Sequence, residues 1–355
     1  MGKILKMLGD ILFALSINLY NQRCLNKIVE KGTRPVVETS DDELIPRPEI
    51  IERLKKIFQP CKSQSSYHMV CGEHGTGKTT LIKIASNEVG CGVIYVDIPA
   101  NLEELGEAFG RAINFASVDH VSLLGRLMDK PKISEWGSAI RALDYASEVY
   151  KAKHDKPMVI VYDNISHLVH KNPDILDILQ DNAKHSADDR KYITVFVSSE
   201  GSVPRRMQLI EIGDLTEEES MDYLVKKRGI KNIKDAEKIY GLVGGRIVDL
   251  KNVADDFCAG KSFEVVKQDI LMEVEDKLRT ANLLKNYQHY EVGKHVMNVL
   301  LRSKELSRIA YEEFFNEPAE AHEILEANIF SYHPEKNIVT FQSRSVEFYV
   351  KNIFY

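Results

Sequence analysis

Residues 72–79 read Gly-Glu-His-Gly-Thr-Gly-Lys-Thr. Glycines at Gly72, Gly75 and Gly77 admit backbone angles that other residues reach only at a cost. Such angles turn successive N–H groups inward around an anion. Lys78 supplies a point charge for the outer phosphates of a nucleoside triphosphate, and the Thr79 hydroxyl is placed to ligate magnesium. A helix starting at Gly77 would aim the positive end of its dipole at the same anion. The pattern G-x-x-x-x-G-K-[ST] is met in full. The expected ligand is therefore a nucleotide, held by Gly72, Glu73, His74, Gly75, Thr76, Gly77, Lys78, Thr79 and Thr80.

Such a loop works with an acid that holds magnesium through water. "VIVYD" supplies four apolar or aromatic residues and then Asp163, the expected metal-side carboxylate with Thr79. The next residue is Asn164, where a second acid would polarise the attacking water. An amide orients water but does not take its proton. Slow hydrolysis, or a base from elsewhere, is the expectation. Glu200, Asp97 and His167 are the candidates, and His167 reads more readily as a surface or packed histidine. Ser198, at the end of a fourth apolar run, is a candidate γ-phosphate sensor; the plainer reading is a hydroxyl serving local backbone. Arg205 and Arg206 come next, and an arginine there reaches a γ-phosphate in cis or across a subunit interface, or else forms a solvated pair. Arg246, in "GLVGGRIVDL", reaches the nucleotide from a helical region or simply succeeds a tight helix–helix turn.

Positioning these groups takes strands that end at the loop and helices that cover them. "SYHMVCG" precedes the glycine turn and "KTTLIKIASNEV" succeeds it with helical spacing. "GVIYVDI", "MVIVYD", "YITVFVSS" and "MQLIEIGDL" are further apolar runs, separated by helical tracts. One tract spans 101–153 with breaks near Ser117–Asp119 and Lys130–Pro131; another, "NPDILDILQDNAKHSA", is capped by Asn172 with Pro173 in first place. Nearly all-apolar strands alternating with helices predict a parallel sheet covered on both faces. The expected fold is α/β, a three-layer α/β/α sheet over 46–214. A small helical domain over 215–262 should come after it, opened by the capping box of Thr216 and Glu219. Residues 263–355 end in helices and two short strands, which read as a winged-helix-like domain.

Residues 1–45 read as an N-terminal helix and an extended lead-in. Ile4, Leu8, Ile11, Leu15 and Leu19 share one helical face. The plain reading is an amphipathic helix on the body of the protein. A membrane or organelle tether through residues 1–20 is the alternative, although Lys6 and Asp10 interrupt the apolar run. The whole chain of 355 residues is 44% hydrophobic and 28% charged, with net charge −6. That composition suits a globular protein and argues against a generally cationic surface. The cysteines Cys24, Cys61, Cys71, Cys91 and Cys258 form no C-x-x-C pair and are odd in number, which favours free thiols in a reducing, cytoplasmic setting.

Taken together, Gly72–Thr80, "VIVYDN", "LIPRPEIIERLKKIF" and "LVGGRIVDL" resemble the AAA+/STAND class of P-loop ATPases, most closely its archaeal-type branch, over roughly residues 40–355. In that class a hydrophobic-x-Gly-Arg box packs near the adenine; here Pro46-Arg47 stands in its place. The Gly-Gly-x-Pro-like turn lacks its proline, and Arg246 takes a nearby position. The resemblance implies ATP or ADP with Mg2+ as cofactors, packing near the adenine at Pro46-Arg47, a link from the helical domain to the nucleotide near Arg246, and a nucleotide-controlled switch that acts through protein partners or self-association. No guanine-reading N-K-x-D motif is present.

Three functions remain in play on these residues: a switch with weak hydrolysis, an oligomeric motor completed by Arg205 or Arg206, and a nucleic-acid binder using the winged helix. Charge counts against the third. Residues 285–355 hold eight Lys or Arg against ten Glu, a net of −2. A duplex-binding face needs several cationic contacts to phosphate.

Overall fold

Five short strands, almost every residue of the middle ones apolar, have no face to spare for water. They are β1 (His68–Cys71), β2 (Val93–Asp97), β3 (Met158–Asp163), β4 (Tyr192–Val197) and β5 (Gln208–Glu211). In the computed structural model, which describes residues 22–40, 43–113, 135–199 and 207–354, they form one parallel sheet in the order β2-β3-β4-β1-β5. The strand that feeds the glycine turn, β1, is thus separated from the acid-bearing β3 by β4. Every residue of β1, β3 and β4 is buried.

Both faces of the sheet are covered. On one side lie α1 (Pro48–Phe58) and α2 (Lys78–Val89), sharing a core of Leu54, Phe58, Val70, Ile82, Val161 and Val195. On the other lie α3 (Leu105–Ala112), α4 (Glu135–His154), α5 (Ser166–Lys171) and α6 (Pro173–Asp188), around Ile94, Phe109, Ile160, Tyr162 and Phe196. Each such side chain taken from water contributes about 1.5–3 kcal/mol, which fixes the sheet between its two layers. Local signals agree with the packing. Pro48 and Pro173 open α1 and α6, and Asn172 accepts from Ile175 N at 3.4 Å.

A helical run through 22–31 also packs on this second layer, through Leu25 and Val29. The chain then tracks the open edge of β2. Thr33 N donates to Val93 O at 3.0 Å, and Tyr95 N donates to Thr33 Oγ1 at 3.1 Å.

Beyond β5 the structure becomes helical. The segment α7 (Glu217–Asp222) runs into a wider turn over Tyr223–Lys227, and its N-terminus carries the capping box of Thr216 and Glu219. Next come α8 (Ile233–Val243), α9 (Ile247–Cys258) and α10 (Phe263–Thr280). Tyr223, Leu224, Ile239, Leu242 and Leu250 form their core, and Val266 of α10 joins it. The far half of α10, through Val274 and Leu278, belongs instead to a last core with α11 (Tyr290–Ser303), α12 (Arg308–Glu312), α13 (Pro318–Glu326) and α14 (Arg344–Tyr349). A three-stranded antiparallel sheet completes it, ordered β6 (Leu306–Ser307), β8 (Ile338–Phe341), β7 (Phe330–His333). Leu306–Ser307 adds a strand too short to leave a period in the sequence.

Residues 1–20 and the breaks near 117–119 and 130–131 lie outside the described residues. Among the described residues, no helix is long and apolar enough to cross a membrane.

Candidate phosphate-binding site

The glycine turn links the end of β1 to the start of α2, as the spacing required. Gly75 and Gly77 adopt φ of +82° and +83°, the left-handed region in which a side chain is strained. Lys78 is the first residue of α2 and is buried. Its ammonium donates to Glu73 O at 2.7 Å, and the Thr76 hydroxyl donates to the same carbonyl at 3.0 Å. The loop is therefore closed on itself around one of its own carbonyls. Burial pushes the Lys78 amine down to about 8, against the pull of Glu73 and Asp163. An anion in the loop would favour the charged form and raise that value.

Asp163 ends β3 and is buried. Burial raises its carboxyl; hydrogen bonds from Tyr95, Thr79 and the Asn164 backbone oppose that rise. The Tyr95 hydroxyl donates to Oδ2 at 2.7 Å and Asn164 N donates to Oδ1 at 2.8 Å. The hydroxyl of Thr79 at the end of the loop thus bears on the charge of the acid at the end of β3, although β4 lies between their strands. A hydroxyl and a carboxylate beside a buried ammonium are hard oxygen donors of the kind that fit magnesium.

Asn164 sits at φ +61°. Asparagine tolerates that region better than glutamate, so the backbone at this turn selects the amide. Its Nδ2 donates to Asp97 Oδ1 at 2.8 Å. The β2–β3 register places Asp97 opposite Asp163, so two strand-end carboxylates flank the turn. His167 Nδ1 is bonded to Ile98 O at 2.9 Å and is half-buried, the packed histidine of the plainer reading. Ser198 is buried at the end of β4, and its N donates to Val70 O at 3.0 Å, which sets it beside the strand that carries the loop. Thr80 turns to the lead-in, 3.3 Å from Thr39 Oγ1. Glu200, Arg205 and Arg206 lie outside the described residues.

Arg246 ties the loop to the helical region beyond β5, and Arg47 ties the start of α1 to it. Arg47 Nη1 donates to Gly213 O at 2.8 Å, and its Nε lies 3.5 Å from Glu219 Oε1. Arg246 is buried at the N-cap of α9. Its Nε donates to Asp214 Oδ1 at 2.6 Å, and its Nη1 reaches His74 O of the glycine turn at 3.4 Å. Its Nη2 donates to Gln342 O at 2.9 Å. The glycine pair before it does close a tight turn: a side chain at Gly245 would lie 2.0 Å from Leu215 O.

The antiparallel hairpin of β7 and β8 also reaches the loop. The Ser331 hydroxyl donates to Glu73 Oε1, and Gln342 Nε2 donates to Glu73 Oε2 at 3.5 Å. His333 pairs with Glu211 at the end of β5. Glu73 is therefore held twice, by its carbonyl on Lys78 and by its carboxylate on the hairpin. A cavity of about 240 Å³ remains at this junction, lined by Glu73, Thr76, Asp214, Arg246, His333 and Gln342 among others.

Sequence reasoning does not find Tyr95, Asp214, Ser331 or Gln342. Tyr95 alone leaves a signal: a hydroxyl within an otherwise apolar strand needs a partner when buried. The others come from distant segments with no motif.

No protein-family model matches the sequence, and no curated protein matches it. Among solved structures, the Walker-type ATPase PABY2304 of Pyrococcus abyssi is similar over 89% of this chain and 98% of its own, at 13% identity and a TM-score of 0.53. A STAND protein with a tetratricopeptide repeat sensor from Pyrococcus horikoshii is similar over 91% of this chain and 44% of its own, at 12% identity and a TM-score of 0.41. AMPPCP-bound DnaA from Aquifex aeolicus is similar over 78% and 85%, at 16% identity and a TM-score of 0.39. The chain has an AAA+ P-loop ATPase-like fold. At such low identity the likeness concerns the fold alone.

Proposed function

We propose that the chain binds ATP at Gly72–Thr79 and works as a nucleotide-dependent switch with slow hydrolysis. The observation that carries this reading is the buried Lys78, whose ammonium rests on a carbonyl of the glycine turn, with the buried carboxylate of Asp163 pulling on its charge. That set supports a triphosphate with magnesium: Thr79 and Asp163 would hold the cation, which neutralises charge on the phosphates. Lys78 would leave Glu73 O for the ligand. The burial of Ser198 beside the strand that carries the loop supports its role as a γ-phosphate sensor.

Slow turnover is expected from the groups around the attacking water. Asn164 lacks a basic site, and Asp97 is the carboxylate that Asn164 itself holds. The switch reading is supported by the hairpin. Whatever moves Glu73 also disturbs Ser331 and Gln342, so filling the loop is coupled to the winged-helix-like region. ATP is the proposed ligand, with other proteins or further copies of the chain as partners.

Two measurements on one sample test this. Calorimetry with ATP, ADP and GTP, with and without magnesium, should find adenine nucleotides bound and magnesium dependence. Steady-state turnover should fall below about 1 s⁻¹, under the usual enzyme range. Turnover far above that value would overturn the switch reading while leaving binding intact.

A further inference from the structure

At the opposite end of the sheet from the glycine turn, three side chains with metal-binding atoms converge from three separate elements. Glu30 comes from the helical run 22–31, Cys91 from the turn between α2 and β2, and His154 from the last position of α4. One ligand atom from each lies within 4.8 Å of the other two. We propose that Glu30, Cys91 and His154 form a binding site for a zinc-class divalent cation.

The donor set selects the ion. A thiolate with an imidazole and a carboxylate suits zinc or cobalt, and neither calcium nor magnesium takes sulfur readily. Around a tetrahedral ion with bonds of about 2.0–2.3 Å, ligand atoms stand about 3.3–3.8 Å apart. His154 Nε2 is already 3.0 Å from both Glu30 oxygens. Closure by about 1 Å is left for the thiol, within reach of a χ1 adjustment at Cys91. Three protein ligands leave the fourth position to water.

The surroundings hold these groups in place. The Tyr150 ring stacks on His154, centroids 4.3 Å apart at 29°, and its hydroxyl is 3.7 Å from Cys91 Sγ. Gly92 makes this arrangement feasible: its φ is +80°, and a side chain there would stand 2.3 Å from the Tyr150 hydroxyl. Lys153 Nζ lies 3.0 Å from Glu30 Oε1, fixing one carboxylate oxygen and leaving the other for the ion. Outer contacts of this kind orient metal ligands. The backbone closes the site as well, since Gly92 N donates to Val29 O at 2.8 Å. An ion pair accounts for Glu30 and His154 and the Tyr150 hydroxyl for the thiol; a cation would take all three donors at one point. A bound cation would staple the lead-in to the edge of the sheet.

The test uses the full chain freed of any affinity tag, titrated with Co2+ and then Zn2+. The expected result is a thiolate-to-cobalt charge-transfer band that saturates near one equivalent and is removed by zinc. Cys91→Ser should abolish the band, and His154→Ala should weaken binding by about 100-fold or more, beyond the 10–100-fold typical of outer partners. The exposed thiols Cys61 and Cys258 are controlled by a C61S/C258S variant, which should keep the band. Because Cys91→Ser is nearly isosteric, its far-ultraviolet circular dichroism should match the parent. Zinc should raise the thermal midpoint of the parent and not of this variant. No band in the parent, or a band that persists in Cys91→Ser, overturns the proposal.

Discussion

The Asn164 side-chain amide donates to Asp97 Oδ1 at 2.8 Å, joining the ends of two neighbouring strands beside the buried Asp163. In this arrangement the amide does not act as a base; it orients the Asp97 carboxylate, a candidate for that role among the described residues. Asp97→Asn is therefore expected to lower ATP turnover by about 10²-fold, the small end of what a general base contributes. ATP affinity, read by calorimetry, should change little, because Asp97 is not among the loop residues. An unchanged rate would remove Asp97 from the site.

The hydroxyl of Ser331 carries a second prediction. It holds the Glu73 carboxylate to the hairpin, with Gln342 as a weaker partner. Ser331→Ala should loosen the C-terminal region without touching the phosphate cradle. Limited proteolysis of this variant without nucleotide should resemble that of the parent with ATP. If the parent is cut at the same rate with and without ATP, the hairpin does not respond to the loop.

Arg246 joins Asp214, His74 O and Gln342 O with one guanidinium. Removing one partner of a buried pair costs about 3–5 kcal/mol; Asp214 keeps a side-chain exposure of 36%, so the low end applies here. Arg246→Gln should destabilise the chain by about 3 kcal/mol in urea unfolding. Arg246→Lys should recover only part of that, since a single ammonium does not reproduce the fork.

Much of this architecture is legible in the residue order. Apolar runs bounded by turns mark the five strands, and Gly72–Thr79 with Asp163 mark the heart of the site, because their chemistry is local to a few positions. Pro48, Asn172 and the Thr216–Glu219 pair likewise mark helix starts through contacts within one turn. Long-range partnership leaves no such trace. Ser331 meets Glu73 across more than half the chain, and Asp214 finds Arg246 only once the helical segment folds back. In the sequence Asn164 reads as a missing acid; the positive φ gives it a backbone reason as well. The strand Leu306–Ser307 escapes because two residues carry no alternation.

His68 supplies the pH dependence. It opens β1, is buried, and lies 2.8 Å from Gln64 Nε2; burial lowers its pKa from 6.5 to about 4. The unfolded chain then binds more protons than the folded one between these values, so stability is lost as pH falls from about 6.5 towards 4. His68→Gln stays neutral throughout. Its thermal midpoint should fall less than that of the parent between pH 6.5 and pH 4.5, and parallel curves would show that His68 does not contribute.

The central claim is that Lys78 and its loop hold a nucleoside triphosphate rather than serving the core. Its most direct test is calorimetry of ATP with magnesium on the parent and on Lys78→Ala, with unfolding followed on both. Binding should be saturable in the parent and undetectable in Lys78→Ala, while the variant keeps the parent's cooperative unfolding, because the ammonium holds a loop carbonyl and not the sheet. Equal ATP binding by both chains would contradict it, as would a parent that takes up no nucleotide.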